Sequence, residues 1–430
     1  MQEEQEDEEK QKLHLNKDVL HSILLNEEVA NKPVVVISVA GAFRTGKSFL
    51  LNCMTRYLTA PHKSRWLDNK IKSFEWKSGC DAHTDGIWIS PPIPVTLESG
   101  EEAALLLMDT QGIFDEDSSI ADSTRIFALS TLLSSVQVFN VMNNLKSDDL
   151  DHLQLFAEFG RLATDTMSQK PFQDLVFLVR DWCHTQNHEL GAKGGKELVD
   201  KRLGNKRGKL AHRAEGIKEC FSSISGFLLP HPGEDATVQE FEGDKEQMRP
   251  NFISALNELM PLLFSEENLK VKLSGGSRMT CKDLATLIEK SVEIFQGDKL
   301  PSPISVVQAL AEAGNRAAVD SAFQAYQEHM MDFLQGPTLQ LNEERLLQEH
   351  NDARENALEA LKQQKIIRDS AKPENYYSEL LDKKINQQFQ MIRLVAQAMW
   401  LKQSQREKQA RLIKIAAVVC AMAMIASRFI

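Results

Sequence analysis

The chain has 430 residues, 42% of them hydrophobic and 26% charged, an ordinary globular composition with enough apolar residues for a sizeable core. The formal net charge of −11 excludes a general nucleic-acid binder, because such a protein presents a strongly basic face to phosphate. Six cysteines lie scattered without a Cys-x-x-Cys pair, a pattern typical of reduced thiols in the cytosol.

The first part of the chain predicts an acidic tail and then an α/β domain. Residues 1–12 are polar and acidic, which is typical of a disordered segment. Strand patterns then alternate with helical patterns up to residue 297. The strand candidates are VVVISVA at 34–40, AALLLM at 103–108, the run at 136–141 and LVFLV at 175–179. This alternation predicts an α/β domain over 13–297, with a mostly parallel sheet and helices on both faces.

A helical region follows. Two prolines in GDKLPSPIS predict a stiff linker or hinge over 298–305. Three amphipathic patterns, broken at Gly336-Pro337 and at Pro373, predict an all-α three-helix bundle over 306–405, and the breaks disfavour one extended coiled coil. The positions expected to face the bundle core are Val319, Phe323, Tyr326, Met330 and Phe333, then Ala353, Ala357 and Leu361, then Leu381, Ile385, Phe389, Ile392, Val395 and Met399.

Residues 406–430 combine a basic flank with a short hydrophobic segment. The uninterrupted apolar run, 415–426, is shorter than the roughly 20 residues that a spanning helix needs. A basic flank beside an apolar stretch is typical of a cytosolic anchor. Membrane contact through this segment is therefore expected, and the alternative is a terminal helix that docks on its own domain.

The chemistry begins at residues 41–48, GAFRTGKS, which fit the phosphate-loop pattern G-x-x-x-x-G-K-[ST] directly after a strand and before a helix. The glycines let backbone N–H groups turn toward phosphate. Lys47 is expected to neutralise the β and γ oxygens, and Ser48 to bind Mg²⁺.

A second motif, Asp109-Thr110-Gln111-Gly112, ends the AALLLM strand. The aspartate is expected to hold Mg²⁺ through water, and the N–H of Gly112 to sense the γ-phosphate. Thr84, in the polar stretch HTDG, is the candidate for the switch threonine that completes the Mg²⁺ shell.

Guanine selection is assigned to Arg180-Asp181, which ends the LVFLV strand, because the sequence has no Asn-Lys-x-Asp string. A carboxylate there can accept from guanine N1–H and from the exocyclic amine, a pairing that adenine does not offer.

Hydrolysis needs a further group, since Ile113 stands where small GTPases have a water-orienting glutamine. Arg44 is close enough to reach the β/γ-bridging oxygen, and an arginine in that place is worth about 10³–10⁵ in rate. We expect Arg44 to act in cis and to be locked inward by dimerisation, and the alternative is an ion pair with a surface carboxylate. The predicted catalytic residues are Arg44, Ser48 and Thr84, and the predicted metal ligands are Ser48, Thr84 and Asp109. The predicted nucleotide-binding residues are Gly41, Arg44, Thr45, Gly46, Lys47, Ser48, Phe49, Asp109, Gln111, Gly112, Arg180 and Asp181.

Together these motifs resemble those of the atlastins, dynamin-related GTPases of the endoplasmic reticulum, with guanylate-binding proteins as their nearest relatives. The resemblance is carried by GAFRTGKSFL, HTDGIW, LLLMDTQGIFD, IFALSTLLSSVQVFN, DDLDHLQLFAEFGRLA and FLVRDW, and it continues to about residue 400. It implies that Arg44 is the catalytic phosphate-loop arginine, that Gln111 lines the nucleotide, and that residues 231–243 form a guanine cap.

The resemblance also implies a mechanical cycle. GTP would drive homodimerisation through the G domains on opposing membranes, and the helical bundles would then swing together and fuse endoplasmic reticulum tubules, with the GTPase domain on the cytosolic face. Atlastins carry two long transmembrane segments, whereas this sequence has only the short run after Leu412, so it is either truncated or anchored differently. Two alternatives stay open: a GTP-dependent tether without fusion activity, and a soluble defence GTPase like the guanylate-binding proteins.

Overall fold

The computed structural model describes residues 14–42, 45–69, 74, 86–111, 120–146, 149–150, 153, 170–204, 209–236, 241, 243–274, 276–295, 303–335, 343–363, 373, 375–398 and 409. The predicted tail at 1–12 and the segment at 406–430, apart from residue 409, lie outside them. Within the described residues, no helix is both long enough and apolar enough to cross a bilayer.

The described helices and strands follow one another in an alternating order up to residue 295. In the first half they are α1 (Lys17–Leu24), β1 (Val34–Gly41), α2 (Lys47–Thr59), β2 (Ile87–Ile89), β3 (Ile93–Thr96), β4 (Glu102–Thr110), α3 (Ile120–Leu133) and β5 (Val136–Met142). Next come β6 (Phe172–Arg180), α4 (Gly191–Leu203), α5 (Lys209–Cys220), β7 (Phe221–Leu228), α6 (Pro250–Phe264), β8 (Leu273–Ser274), β9 (Ser277–Arg278) and α7 (Cys281–Phe295). The helical region contains α8 (Pro303–Gln335), α9 (Glu343–Gln363) and α10 (376–398).

One seven-stranded sheet organises this region. Its order is β2-β4-β1-β5-β6-β7, with β3 also paired to β4. The central strands run parallel, and among the described strands of this sheet β2 and β3 run antiparallel to β4 at the edge. The prediction of a mostly parallel sheet is therefore confirmed.

Both faces of the sheet are covered, which explains why its central strands read as continuous apolar runs. Side chains alternate between faces along a strand, so Val34 and Val36 of β1 join the core that includes α1, α3, α4, α5 and α7. Val35 and Ile37 join the core that includes α2 and α6. All eight residues of β1 are buried, so this strand is fixed in the middle of the sheet.

The described helices α8, α9 and α10 supply the core residues of a separate bundle, as predicted. At its centre the hydroxyl of Tyr326 lies 2.9 Å from Nδ1 of His350. The ring of His350 stacks on that of Phe389 with 3.7 Å between centroids. Burial lowers the pKa of His350, so the neutral imidazole is the form that this core favours.

The assignment of Val395 to the bundle core is wrong. Val395 is 53% exposed, whereas Ala396 is fully buried. After Ile385, Phe389 and Ile392, the helical period of 3.6 residues brings position 396 to the inner face. Met399 lies outside the described residues.

The chain divides into two compact units, with Ala317 in the first and Ala318 in the second. Of the predicted linker at 298–305, only residues 303–305 are described, and they begin α8. The first part of α8 therefore groups with the sheet-containing unit. The hinge itself stays a prediction.

Candidate functional site

Most of the described site residues lie at or just beyond the carboxyl ends of neighbouring parallel strands. β1 ends at Gly41, β4 at Thr110 and β6 at Arg180, while Asn140 lies opposite Gly41 near the end of β5. Ligands of open α/β sheets bind in the crevice at this edge. The fold thus brings together side chains that are far apart in sequence.

Two glycines shape the loop between β1 and α2. Gly46 has φ of +73°, in the left-handed region where a side chain is strained. A Cβ at Gly46 would also collide with Nη1 of Arg180, and a Cβ at Gly41 would collide with the carbonyl of Asn140. The phosphate-loop pattern therefore reflects close packing as well as backbone freedom.

Lys47 is buried at the start of α2, and its Nζ donates to the carbonyl of Ala42 at 3.2 Å. The hydroxyl of Thr45 donates to the same carbonyl at 2.8 Å. Burial lowers the pKa of Lys47 to about 8, an effect that the Asp109 carboxylate opposes. A phosphate anion would supply the negative charge that favours the protonated amine.

Ser48, in the first turn of α2, and Asp109, near the end of β4, are in direct contact. The Ser48 hydroxyl donates to Oδ2 of Asp109 at 2.6 Å. A hydroxyl beside a carboxylate is an oxygen-donor set that suits Mg²⁺, which prefers hard oxygen ligands. These two residues therefore fit the predicted metal.

Arg180, at the end of β6, contacts the backbone of the phosphate loop. Its guanidinium is buried, and Nη1 donates to the carbonyl of Thr45 at 2.6 Å and to that of Gly46 at 3.3 Å. Burial lowers the pKa of Arg180, which the charge of Asp181 opposes. The arginine thus contacts the phosphate loop.

Asn140 is a site residue that the sequence analysis missed. Its Nδ2 donates to the same Thr45 carbonyl at 2.9 Å, and the side chain is fully buried. The available signal was its position: like Asp109 and Arg180, it is a polar residue at the end of an apolar strand run.

Asp181 follows Arg180 with φ of +57°, an uncommon conformation for a residue other than glycine. Its Oδ1 is buried and has no hydrogen-bond partner among the residues that the structure describes. A buried carboxylate oxygen without a donor is costly, so a ligand that donates to it is favoured.

Gln111 connects the second motif to the start of β2. Its backbone N–H donates to the carbonyl of Gly86 at 2.7 Å, and its Oε1 accepts from the N–H of Gly86 at 3.2 Å. Gly86 lies two residues after Thr84 in the sequence. Gln111 therefore fixes the backbone of Gly86 just before β2.

Phe49 and Arg56, on α2, contact the end of the predicted guanine cap. The rings of Phe49 and Phe241 lie 5.7 Å apart between centroids, so the Phe49 side chain packs against the end of this segment. Nη1 of Arg56 donates to the carbonyl of Gly243 at 2.7 Å. Arg44, Thr84 and Gly112 lie outside the described residues.

The sequence of this chain is similar to those of known protein families. Residues 10–273 match the family described as "Guanylate-binding protein, N-terminal domain", and residues 275–416 match "Guanylate-binding protein, C-terminal domain". Among curated proteins, the chain is 42% identical to "Atlastin-2" of Homo sapiens over 352 residues, which is 80% of this chain and 60% of that protein. It is 43% identical to "Atlastin-1" of Mus musculus over 330 residues, 75% of this chain and 59% of the relative.

The chain spans about three fifths of the length of these curated relatives. The family matches, in contrast, cover both the sheet-containing region and the helices that follow it. With its phosphate loop, parallel sheet and C-terminal bundle, the chain belongs to the guanylate-binding protein family and is similar to atlastins.

Proposed function

We propose that this protein binds guanine nucleotides with Mg²⁺ and hydrolyses GTP to GDP and phosphate. Lys47 and the N–H groups of the loop hold the phosphates, and Ser48 with Asp109 holds the metal. Mg²⁺ supplies charge stabilisation to the phosphates when it is bound. The family membership and the likeness to atlastins support this assignment.

The proposal rests mainly on the hydrogen bonding of the Asp181 carboxylate. Its buried Oδ1 lacks a donor among the described residues, at the strand end beside the phosphate loop. Guanine offers two donors on one edge, N1–H and the exocyclic amine, which a carboxylate can accept together. Adenine has an unprotonated N1 and no amine at C2, so it would leave the carboxylate unsatisfied.

Replacing Asp181 with asparagine tests the choice of base. The Asp181→Asn variant should bind GDP about 100-fold more weakly, because two hydrogen bonds to a charged acceptor are lost. It should gain affinity for xanthosine diphosphate, whose C2 carbonyl accepts from the new amide. Fluorescence titration with the two labelled diphosphates measures both effects.

Asp174 at the start of β6 provides the matched control. It lies at the opposite end of the same strand, and burial raises the pKa of its carboxyl, so an amide is tolerated there. Asp174→Asn should keep the preference for guanine. An Asp181→Asn variant that still prefers GDP to the xanthosine nucleotide would refute the assignment.

We further propose that the nucleotide drives homodimerisation through the G domains and the bundles. The exposed Met391, Leu394 and Val395 form an apolar stripe on α10, with exposed fractions of 63%, 63% and 53%, which suits contact with a second surface. Membrane attachment through 406–430 would place the pair at the endoplasmic reticulum, with the GTPase domain in the cytosol. This rests on the atlastin likeness and the sequence of that segment.

Homotypic membrane fusion is the output proposed for this cycle, and tethering without fusion is the second candidate. Flotation with liposomes tests membrane attachment. A lipid-mixing assay then separates fusion, which dilutes lipid dyes between vesicles, from tethering, which clusters vesicles without dye transfer.

A further inference from the structure

We propose that Arg180 and Asn140 form a clamp on the Thr45 carbonyl that positions the phosphate loop, and that Asp181 alone reads the base. This inference rests on the proposed function, because it assigns roles within the same nucleotide site. Arg180 and Asn140 are positioning residues, because they act on the ligand through the backbone of the phosphate loop.

The clamp is built from two strands. Asn140, near the end of β5, donates to the Thr45 carbonyl at 2.9 Å, and Arg180, at the end of β6, donates to it at 2.6 Å. Arg180 also reaches the next carbonyl, of Gly46, at 3.3 Å. Asn140 is 0% and Arg180 8% exposed, so neither donor is diverted to solvent.

The consequence for phosphate binding follows from peptide geometry. In a planar trans peptide the C=O and the following N–H point in opposite directions. Because the Thr45 carbonyl is held toward Arg180 and Asn140, the N–H of Gly46 points away from them. Loss of the donors would free this peptide to rotate and would weaken the N–H cradle for anions.

The absence of a side chain at Gly46 is part of the same clamp. A Cβ there would collide with Nη1 of Arg180, so the guanidinium lies directly against the loop backbone. For Arg180 to reach the base instead, it would have to leave two carbonyl acceptors. Because Asp181 directly follows Arg180 in the chain, the end of β6 positions both the phosphate loop and the residue proposed to read the base.

The test compares GDP with inosine diphosphate, which lacks the exocyclic amine, on the full chain. Arg180→Met should weaken binding of both nucleotides by the same factor, about 10–100-fold, because a charge-assisted hydrogen bond is lost. Asn140→Ala should weaken both by a smaller common factor, about 3–10-fold. The ratio of the two affinities should stay at the wild-type value in each variant.

Two further variants separate positioning from general damage. Arg180→Lys keeps one donor and should recover part of the lost affinity, with the ratio again unchanged. The double variant, Asn140→Ala with Arg180→Met, should lose less than the product of the single losses, since both donors act on one carbonyl. Arg278→Met, which removes an exposed arginine paired with Glu101, is the matched control and should bind as wild type does.

The possible results are distinct. If Arg180→Met changes the GDP-to-inosine-diphosphate ratio as Asp181→Asn does, Arg180 reads the base and the clamp is refuted. If the wild type binds GDP while Asn140→Ala and Arg180→Lys bind it equally well, the clamp alone fails. A wild type that binds no guanine nucleotide would refute the proposed function and the clamp with it. Should Arg180→Met fail to fold, Arg180→Lys and Asn140→Ala decide, because each retains a donor to Thr45.

Discussion

Arg180 and Asp181 are neighbours in sequence, yet their side chains have different surroundings. The guanidinium of Arg180 is buried against the phosphate loop, while Asp181 has a left-handed backbone and a carboxylate oxygen without a described donor. A dipeptide at a strand end predicts that both residues belong to the site. It does not predict which way each side chain points, because that depends on contacts with residues more than 100 positions away.

The phosphate loop itself was predictable from sequence. Its spacing is local: eight consecutive residues supply the turn, the lysine and the hydroxyl, and the flanking strand and helix patterns confirm the context. Asn140 was not predictable in this way. Its contact with Thr45 spans 95 positions, and only the pairing of β1 with β5 brings the two residues together.

Arg44 carries the first prediction at the scale of one residue. Arg44→Ala should lower GTP turnover about 10³-fold or more, because an arginine that neutralises charge developing in the transition state acts on rate. GDP affinity should change little, since that charge is absent in the ground state. Phosphate release and GDP titration measure the two quantities separately.

Arg65, an exposed arginine paired with Asp68, is the control for removing a cation from this region. Arg65→Ala should turn over GTP at the wild-type rate. Unchanged turnover in Arg44→Ala would show that the transition-state charge is neutralised by another group.

At the scale of elements, strands were easier to predict than helix faces. The central strands are buried on both sides, so any apolar run of the right length identifies them. A helix buries only one stripe of side chains. An error of one residue in assigning that stripe therefore exchanges a buried position for an exposed one. Val395 and Ala396 show this, because both are apolar and only the second faces the bundle core.

The end of α3 depends on a buried lysine that sequence patterns did not single out. Lys272 is fully buried, and its Nζ donates to the carbonyl of Ser134, just beyond α3, at 2.9 Å. A cation at a helix C-terminus is favoured by the helix dipole. Burial nevertheless lowers the pKa of Lys272 to about 7.

This shift predicts a pH dependence of stability. Below pH 7 the lysine is protonated in both states, and the unfavourable burial of charge is then fully present. As pH rises above 7, only the unfolded chain still binds the proton, so the free energy of unfolding rises by about 1.4 kcal/mol per pH unit. Between pH 7.5 and 9, wild type should therefore gain stability relative to Lys272→Met.

Chemical denaturation at several pH values measures this difference in stability. Titratable groups that both proteins share contribute equally to the two profiles, so their contributions cancel in the comparison. Lys170→Met removes a lysine that also donates to backbone carbonyls but lies at the exposed surface, and it serves as the control. Parallel stability profiles for wild type and Lys272→Met would contradict the depressed pKa.

At the scale of the whole molecule, the division after Ala317 separates the sheet-containing unit from the helical unit. The sequence predicts both units and a linker at 298–305, because prolines mark breaks in the chain, and of that linker only residues 303–305 are described. Residues 303–305 begin α8, which continues past the division to Gln335.

Control of self-association by the bound nucleotide is tested most directly by light scattering of the purified chain. The mass should be that of a monomer with GDP, and it should double with a non-hydrolysable GTP analogue and with a transition-state mimic. Lys47→Ala, which lacks the amine proposed to bind phosphate, should stay monomeric in every state. A wild-type mass that is the same in all three nucleotide states would contradict a nucleotide-driven pairing cycle.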